Sequence, residues 1–111
     1  MTIPEFFEKM PSQFYPAAAG DIQKTIQWTI TGDEASVWAF RIEQGIGTLI
    51  PGGVEKPDVL FTVNSNVWLD IAEGRLDSTR AFMTGKLKVS GDLTLAIRVP
   101  EFFPSDSAKA G

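Results

Sequence analysis

The chain has 111 residues, 43% hydrophobic and 22% charged, with a formal net charge of −4. These are the proportions of one globular domain, not of a disordered chain. The acidic balance excludes nucleic acid as a partner and disfavours firm electrostatic docking on anionic membranes, leaving only transient apolar contact with a membrane.

Cysteine and histidine are both absent. That removes disulfides, a thiolate nucleophile, the usual zinc ligands and the commonest general base. The first residues lack a basic start followed by a long apolar run, so they do not read as a signal peptide. No stretch approaches the roughly 18 apolar residues of a spanning helix, and the expected location is cytoplasmic.

Thr2, Pro4 and Glu5 spell a capping box with proline in the first turn, followed by an apolar stripe of Ile3, Phe6, Phe7 and Met10. Pro11 interrupts the stripe, and a second short helix runs from Pro16 to Ala19 before Gly20. The period then becomes two. Ile26, Trp28 and Ile30 face one way, and Trp38, Phe40 and Ile42 do the same on a second strand beyond a turn at 31–34. Gln44 and Gly45 turn the chain into a third strand over 46–50, completing an antiparallel meander. Residues 51–57 form a loop, and a fourth strand over 58–63 points Val59, Phe61 and Val63 inward.

Asn64 or Ser65 caps a helix with Trp68, Ile71 and Ala72 inward, ended by Gly74. Asp77 caps a further short helix that carries Ala81, Phe82 and Met83 and stops at Gly85. Residues 86–90 form a fifth strand with Leu87 and Val89 inward; Lys86 and Lys88 fall on the solvent side, where they guard a sheet edge. Asp92 caps a last helix with Leu93, Ala96 and Ile97 on one side, predicted to end before Pro100. The fold class is α+β, with helices on one face of the sheet. A single domain over 1–104 is expected, with 105–111 as a flexible tail.

The motifs that carry chemistry are weak. Gly45 and Gly47 begin like a dinucleotide fingerprint, but Ile50 stands where the third glycine belongs, and the setting is a hairpin. Thr84, Gly85 and Lys86 lack the rest of a phosphate loop. The carboxylates Asp33, Glu34, Asp70, Glu73, Asp77 and Asp92 all suit turns, exposed helix faces or caps, so no catalytic, cofactor or metal site is expected. What remains is aromatic bulk: eight Phe, three Trp and one Tyr. Most of it fills a core. Yet Trp28, Trp38, Phe40, Trp68, Phe82 and Met83 all point to the covered side of a small sheet, and such side chains can line an adaptable apolar cavity.

Residues 74–77 and 81–95, Gly-Arg-Leu-Asp and Ala-Phe-Met-Thr-Gly-Lys-Leu-Lys-Val-Ser-Gly-Asp-Leu-Thr-Leu, closely resemble the signature of sterol carrier protein 2 domains. Met10, Pro11, Phe14, Pro16, Ala17, Ala18 and Gly20 look like the front end of stand-alone bacterial members, and 58–71 also fits. The resemblance covers residues 3–103. It implies a five-stranded, mostly antiparallel sheet covered on one face by helices, with an apolar tunnel between. It also implies non-catalytic binding and transfer of fatty acyl chains, acyl-CoA, sterol or isoprenoid-like molecules and phospholipid, without a cofactor. Animal members end in a peroxisomal tripeptide; Lys109, Ala110 and Gly111 do not match it.

The expected ligand wall is Trp38, Phe40, Trp68, Phe82, Met83, Leu87, Leu93 and Ile97, with Phe102 and Phe103 either at the tunnel mouth or in the core. Two rivals stand beside carriage. One is an accessory module with a fully packed core that serves a lipid- or quinone-synthesis enzyme. The other is an enzyme working through carboxylates such as Asp70 and Asp77.

Overall fold

The computed structural model describes residues 1–104; the expected tail, 105–111, lies outside the described residues. Three short helices open the chain: α1 (Ile3–Glu8), α2 (Met10–Gln13) and α3 (Pro16–Ala19). Each has proline in its first turn, where the missing N–H has no helical partner to lose. Pro11 therefore starts a new helical turn as well as ending the first stripe. The capping box forms: the Glu5 N–H donates to Thr2 Oγ1 at 3.3 Å, and the Thr2 N–H donates to the Glu5 carboxylate at 2.8 Å.

Five strands follow, β1 (Lys24–Thr31), β2 (Ser36–Glu43), β3 (Ile46–Pro51), β4 (Val59–Asn64) and β5 (Leu87–Gly91), with α4 (Ser65–Ala72) and α5 (Ser78–Met83) before β5 and α6 (Leu93–Phe102) after it. They form one sheet in the order β3-β2-β1-β4-β5. All neighbours are antiparallel except β1 and β4. The register lines up Trp38, Trp28, Phe61 and Val89 across the inner face, and Thr29, Thr62 and Lys88 across the outer one. Period two thus sorts the sheet into an apolar and a polar side. The helices cover the apolar side, where Phe7, Met10, Ala19, Ala81, Leu95 and Phe102 join the strand residues in one buried cluster.

Because β3 is an edge strand and β4 lies beside β1, the chain must cross two strands between them. It does so over the polar face, where the Val54 N–H donates to Gln27 Oε1 at 2.7 Å. Asp58 then fastens the crossing to β1: its N–H donates to Thr25 O at 2.9 Å, and its carboxylate accepts from the Thr25 N–H at 2.7 Å. The Asp58 carbonyl also accepts from the Asp92 N–H at 2.9 Å, at the junction of β5 and α6. Gly91 makes that junction possible. Its φ is +100°, and a Cβ there would lie 2.5 Å from the Asp58 carbonyl oxygen.

Three local expectations change. Gly47 is a packing glycine and not a turn residue: a Cβ would fall 2.3 Å from Phe40 Cζ and 2.8 Å from Phe14 Cδ2. Asp77 occupies the N-cap position of α5 but makes no side-chain capping bond, unlike Asn64 and Asp92. Finally, α6 runs through Pro100 to Phe102. An internal proline costs about 3 kcal/mol, and the tertiary anchors of this helix offset it. Phe102 is fully buried, its carbonyl accepts from the Tyr15 N–H at 2.8 Å, and Arg98 Nη2 donates to Ala18 O at 2.9 Å.

Candidate functional site

The inner face of the sheet is filled unevenly. Over β2, rings from α1 and from the residues that end α2 and α6 close it. Phe7 stacks on Trp38 with centroids 5.1 Å apart and planes 8° from parallel, and Phe14 and Phe103 meet the Phe40 ring at 5.3 Å and 5.0 Å. Over β1, β4 and β5, the helices α4, α5 and α6 stand off. They leave a cavity of about 1250 Å³.

The sheet side of this cavity is Trp28, Phe61, Leu87 and Val89; α4 supplies Trp68 and Ile71, and α6 supplies Ala96 and Val99. Phe6 and Met10 divide the hollow half from the packed half, with Phe6 edge-on to Trp68 at 5.5 Å and 86°. Leu76 reaches the wall from the turn after α4. That turn is held by the Asp70 carbonyl, which accepts from the Arg75 and Leu76 N–H groups at 2.8 Å and 3.2 Å. Around the mouth stand Phe82, Leu93 and Ile97, which are 50%, 55% and 77% exposed.

Five of the residues expected from sequence, Trp68, Phe82, Leu87, Leu93 and Ile97, lie on this cavity. The other four do not. Trp38 lies against Phe7 of α1, and Phe40 lies between Phe14 and Phe103, just past α2 and α6. Met83 is 78% exposed on α5, and Phe102 is fully buried with the Arg98 guanidinium 5.4 Å from its ring centre. Facing inward was a sound inference for both Trp38 and Trp28, since they are register partners. Which of them borders open space depends on where α1 lands. Sequence reasoning left Trp28, Phe61 and Leu76 off the wall. The first two carried a signal in their inward period, whereas Leu76 lies in a turn and carried none.

The wall is mainly apolar, with Gln13, Ser78 and Thr79 among its polar residues, and two of its buried polar atoms are unpaired. The indole N–H groups of Trp28 and Trp68 are buried without an acceptor among the described residues, while Trp38 Nε1 donates to Ser36 Oγ at 2.8 Å. Phe7 and Phe61 pack against Trp28, and Phe6 against Trp68. Ring faces are weak acceptors, and a buried unpaired donor costs about 1–3 kcal/mol. The ionisable side chains of the lining, Lys9, Glu73 and Asp77, are exposed at the rim. Glu73 is paired with Arg75 and the N-terminal amine, and Asp70 with Arg75. The Glu34 carboxylate accepts from the Ile3 N–H at 3.0 Å and so anchors α1. Of the carboxylates weighed for catalysis, Glu34, Asp70, Glu73 and Asp92 thus hold structure together, whereas Asp77 makes no side-chain capping bond. Among the described residues, no helix is long and apolar enough to cross a membrane. The cavity is open on one side and not the closed tunnel that the resemblance implies; chemically, its wall can hold a long apolar molecule.

The family model described as the SCP-2 sterol transfer family matches residues 5–104. The chain belongs to that family. Lipid binding and transfer is the activity that membership in the SCP-2 sterol transfer family carries. Among curated relatives, hydroxysteroid dehydrogenase-like protein 2 of Xenopus tropicalis is 29% identical over 106 residues, 95% of this chain but 25% of that protein. The chain therefore spans a quarter of that relative's length. Among solved structures, the sec-alkylsulfatase PisA1 double mutant aligns with a TM-score of 0.82 at 24% identity, over 98% of this chain and 17% of that one. Palmitated SCP2L2 of Aedes aegypti aligns with a TM-score of 0.76 at 24% identity, over 91% of this chain and 93% of that one. Both likenesses show that the SCP-2 fold is shared.

Proposed function

We propose that the chain carries single lipid molecules, holding an acyl chain or other long apolar portion in the cavity between the sheet and α4, α5 and α6, and performs no chemistry on them. The observation that carries this reading is the cavity of about 1250 Å³ walled by Trp28, Phe61, Trp68, Leu76 and Leu87. Burying ten methylenes there gains about 8 kcal/mol, at roughly 0.8 each. Association costs about 4–15 kcal/mol, so affinity is moderate and release is feasible. An apolar wall discriminates weakly between chains that differ by one methylene, so the client range is broad. Trp68, Phe82, Leu87, Leu93 and Ile97 are the contacts we assign to the ligand from the sequence-derived set, together with Trp28, Phe61 and Leu76. Carriage through the cytoplasm between membranes, or to an enzyme, is the setting this reading assumes.

The relatives' architecture favours a second reading, in which the bound lipid is presented to a lipid-metabolising enzyme. A fully packed core, the other premise of the accessory-module alternative, does not match the cavity. Native mass spectrometry of the purified chain with lipid extraction tests carriage. An acyl or isoprenoid species is expected to co-purify, and Trp fluorescence should respond to added fatty acid and acyl-CoA. If nothing co-purified and the fluorescence ignored both, carriage would be abandoned.

A further inference from the structure

The two edges of the sheet, β3 and β5, are finished differently. β5 carries Lys88, with Lys86 just before it, and charge of this kind discourages a second strand from pairing there. Residues 44–54, which include all of β3, contain no charged side chain. Ile46 on this edge is 65% exposed, and no β3 residue lines the cavity, so a bound lipid gives the strand nothing to touch.

The backbone of the β3 edge is open. The Gly52 N–H donates to Val37 O at 2.8 Å, and the turn into β3 has φ of +52° at Gln44 and +75° at Gly45. Both features fix the alternation along the β2–β3 ladder. Glu43 and Ile46, Arg41 and Thr48, and Ala39 and Ile50 exchange bonds, so the N–H and C=O groups of Gly47 and Leu49 point away from β2. Among the described residues, no backbone group from outside the sheet bonds to these four groups. Pro51 points the same way and has no N–H to leave unpaired, which suits an edge.

This edge is complementary to itself. With a second copy laid antiparallel about a two-fold axis at Thr48, Gly47 of each copy faces Leu49 of the other, and the two pairs close four N–H to C=O bonds. On the outer face of the sheet, Ile46 meets Ile50 and Thr48 meets Thr48, cross-strand pairs of the kind that stabilise antiparallel sheets. Pro51 falls opposite Gly45, outside those four bonds. An axis at Leu49 sets Pro51 against Gly47 and leaves the Gly47 carbonyl without a donor. An axis at Gly47 sets Ile46 against Thr48 and loses the isoleucine pairs.

We propose that β3 is a dimerisation edge, at which two copies of this chain join β3 to β3 about a two-fold axis at Thr48 and put five strands each into one continuous sheet. The cavity lining contains no β3 residue, so the pairing does not depend on what the cavity holds. The contact is one short strand long, at the small end of specific interfaces, so the dimer forms at high protein concentration and separates on dilution.

Sedimentation equilibrium of the full chain over about a hundredfold range of concentration tests the pairing. The wild type should show a reversible monomer–dimer equilibrium. Thr48→Lys and Thr48→Glu each set like charges opposite one another at the axis and should weaken association about fivefold or more. Mixed in equal amounts, the two variants should form a heterodimer at least as tight as the wild-type dimer. Thr48 faces its copy as a non-hydrogen-bonded pair, with Cα atoms about 4.5 Å apart and within reach of a disulfide. In a chain without cysteine, Thr48→Cys should therefore crosslink on mild oxidation, whereas Thr29→Cys, on the central strand β1, should not. Thr48 is exposed, so its variants should unfold at the wild-type temperature. A wild type that stays monomeric throughout the range would overturn the proposal. So would a dimer that Thr48→Lys leaves unchanged, or one that links through Thr29→Cys as readily as through Thr48→Cys. An extended segment of another protein held at this edge, in a chain that never self-associates, would also overturn it.

Discussion

Ala96 offers a direct way to shorten the cavity. It is half-buried on α6 and contributes to the wall, facing a space bounded below by Trp28 and Phe61. In Ala96→Phe the side chain gains a phenyl ring at a position where the helix backbone tolerates it and the nearest free volume is the cavity. The ring displaces about four methylenes of ligand, and at roughly 0.8 kcal/mol each this removes about 3 kcal/mol, or two orders of magnitude in affinity. The loss should depend on chain length. In a series of saturated fatty acids, wild-type affinity should rise about fourfold per methylene until the cavity is full. In Ala96→Phe the slope should be the same but the plateau should arrive about four methylenes earlier, with short chains unaffected. Titration by Trp fluorescence reads the series, and a thermal unfolding curve checks that the variant is folded. A folded Ala96→Phe whose plateau and long-chain affinity match the wild type would refute the assignment of this cavity as the ligand site.

Gly47→Ala should destabilise the domain by about 1–3 kcal/mol in chemical denaturation, because the new methyl group meets the Phe40 and Phe14 rings within an already closed stack; an unchanged midpoint would show that the stack is looser than its geometry. The Thr2 backbone N–H and hydroxyl hold the Glu5 carboxyl below the ordinary glutamate range. A depressed folded pKa means that the capping box contributes stability above the ordinary glutamate pKa and loses it as pH falls through the depressed value. An NMR titration should find the Glu5 midpoint low in the wild type and higher in Thr2→Val, and identical midpoints would contradict the capping role.

Local physics made most of the fold legible. The period-two runs placed all five strands, and Thr2, Asn64 and Asp92 marked helix starts that form as capped ends. The limit lay where a local signal met a tertiary anchor. Pro100 says stop to any sequence-level reading, yet α6 continues because Phe102 is buried and Arg98 holds α3. Gly47 sits near a hairpin and reads as part of it, while Gln44 and Gly45 make the turn with positive φ and Gly47 clears space for Phe40.

The site divides in the same way. By itself the sequence determined that one face of a five-stranded sheet is apolar and rich in rings, that helices cover it, and that Lys86 and Lys88 face water. Alternation and capping act over a few residues and need no knowledge of the rest of the chain. Only the tertiary structure decided which half of that face is packed and which is hollow. Trp38 and Trp28 are equivalent in pattern and opposite each other in register. They part company because α1 lays Phe7 flat on Trp38 but meets Trp28 at a tilt of 59°, and only Trp28 also borders the cavity, with Phe61 and Leu87. A cavity is the space that distant elements fail to fill, and no single stretch of sequence encodes it.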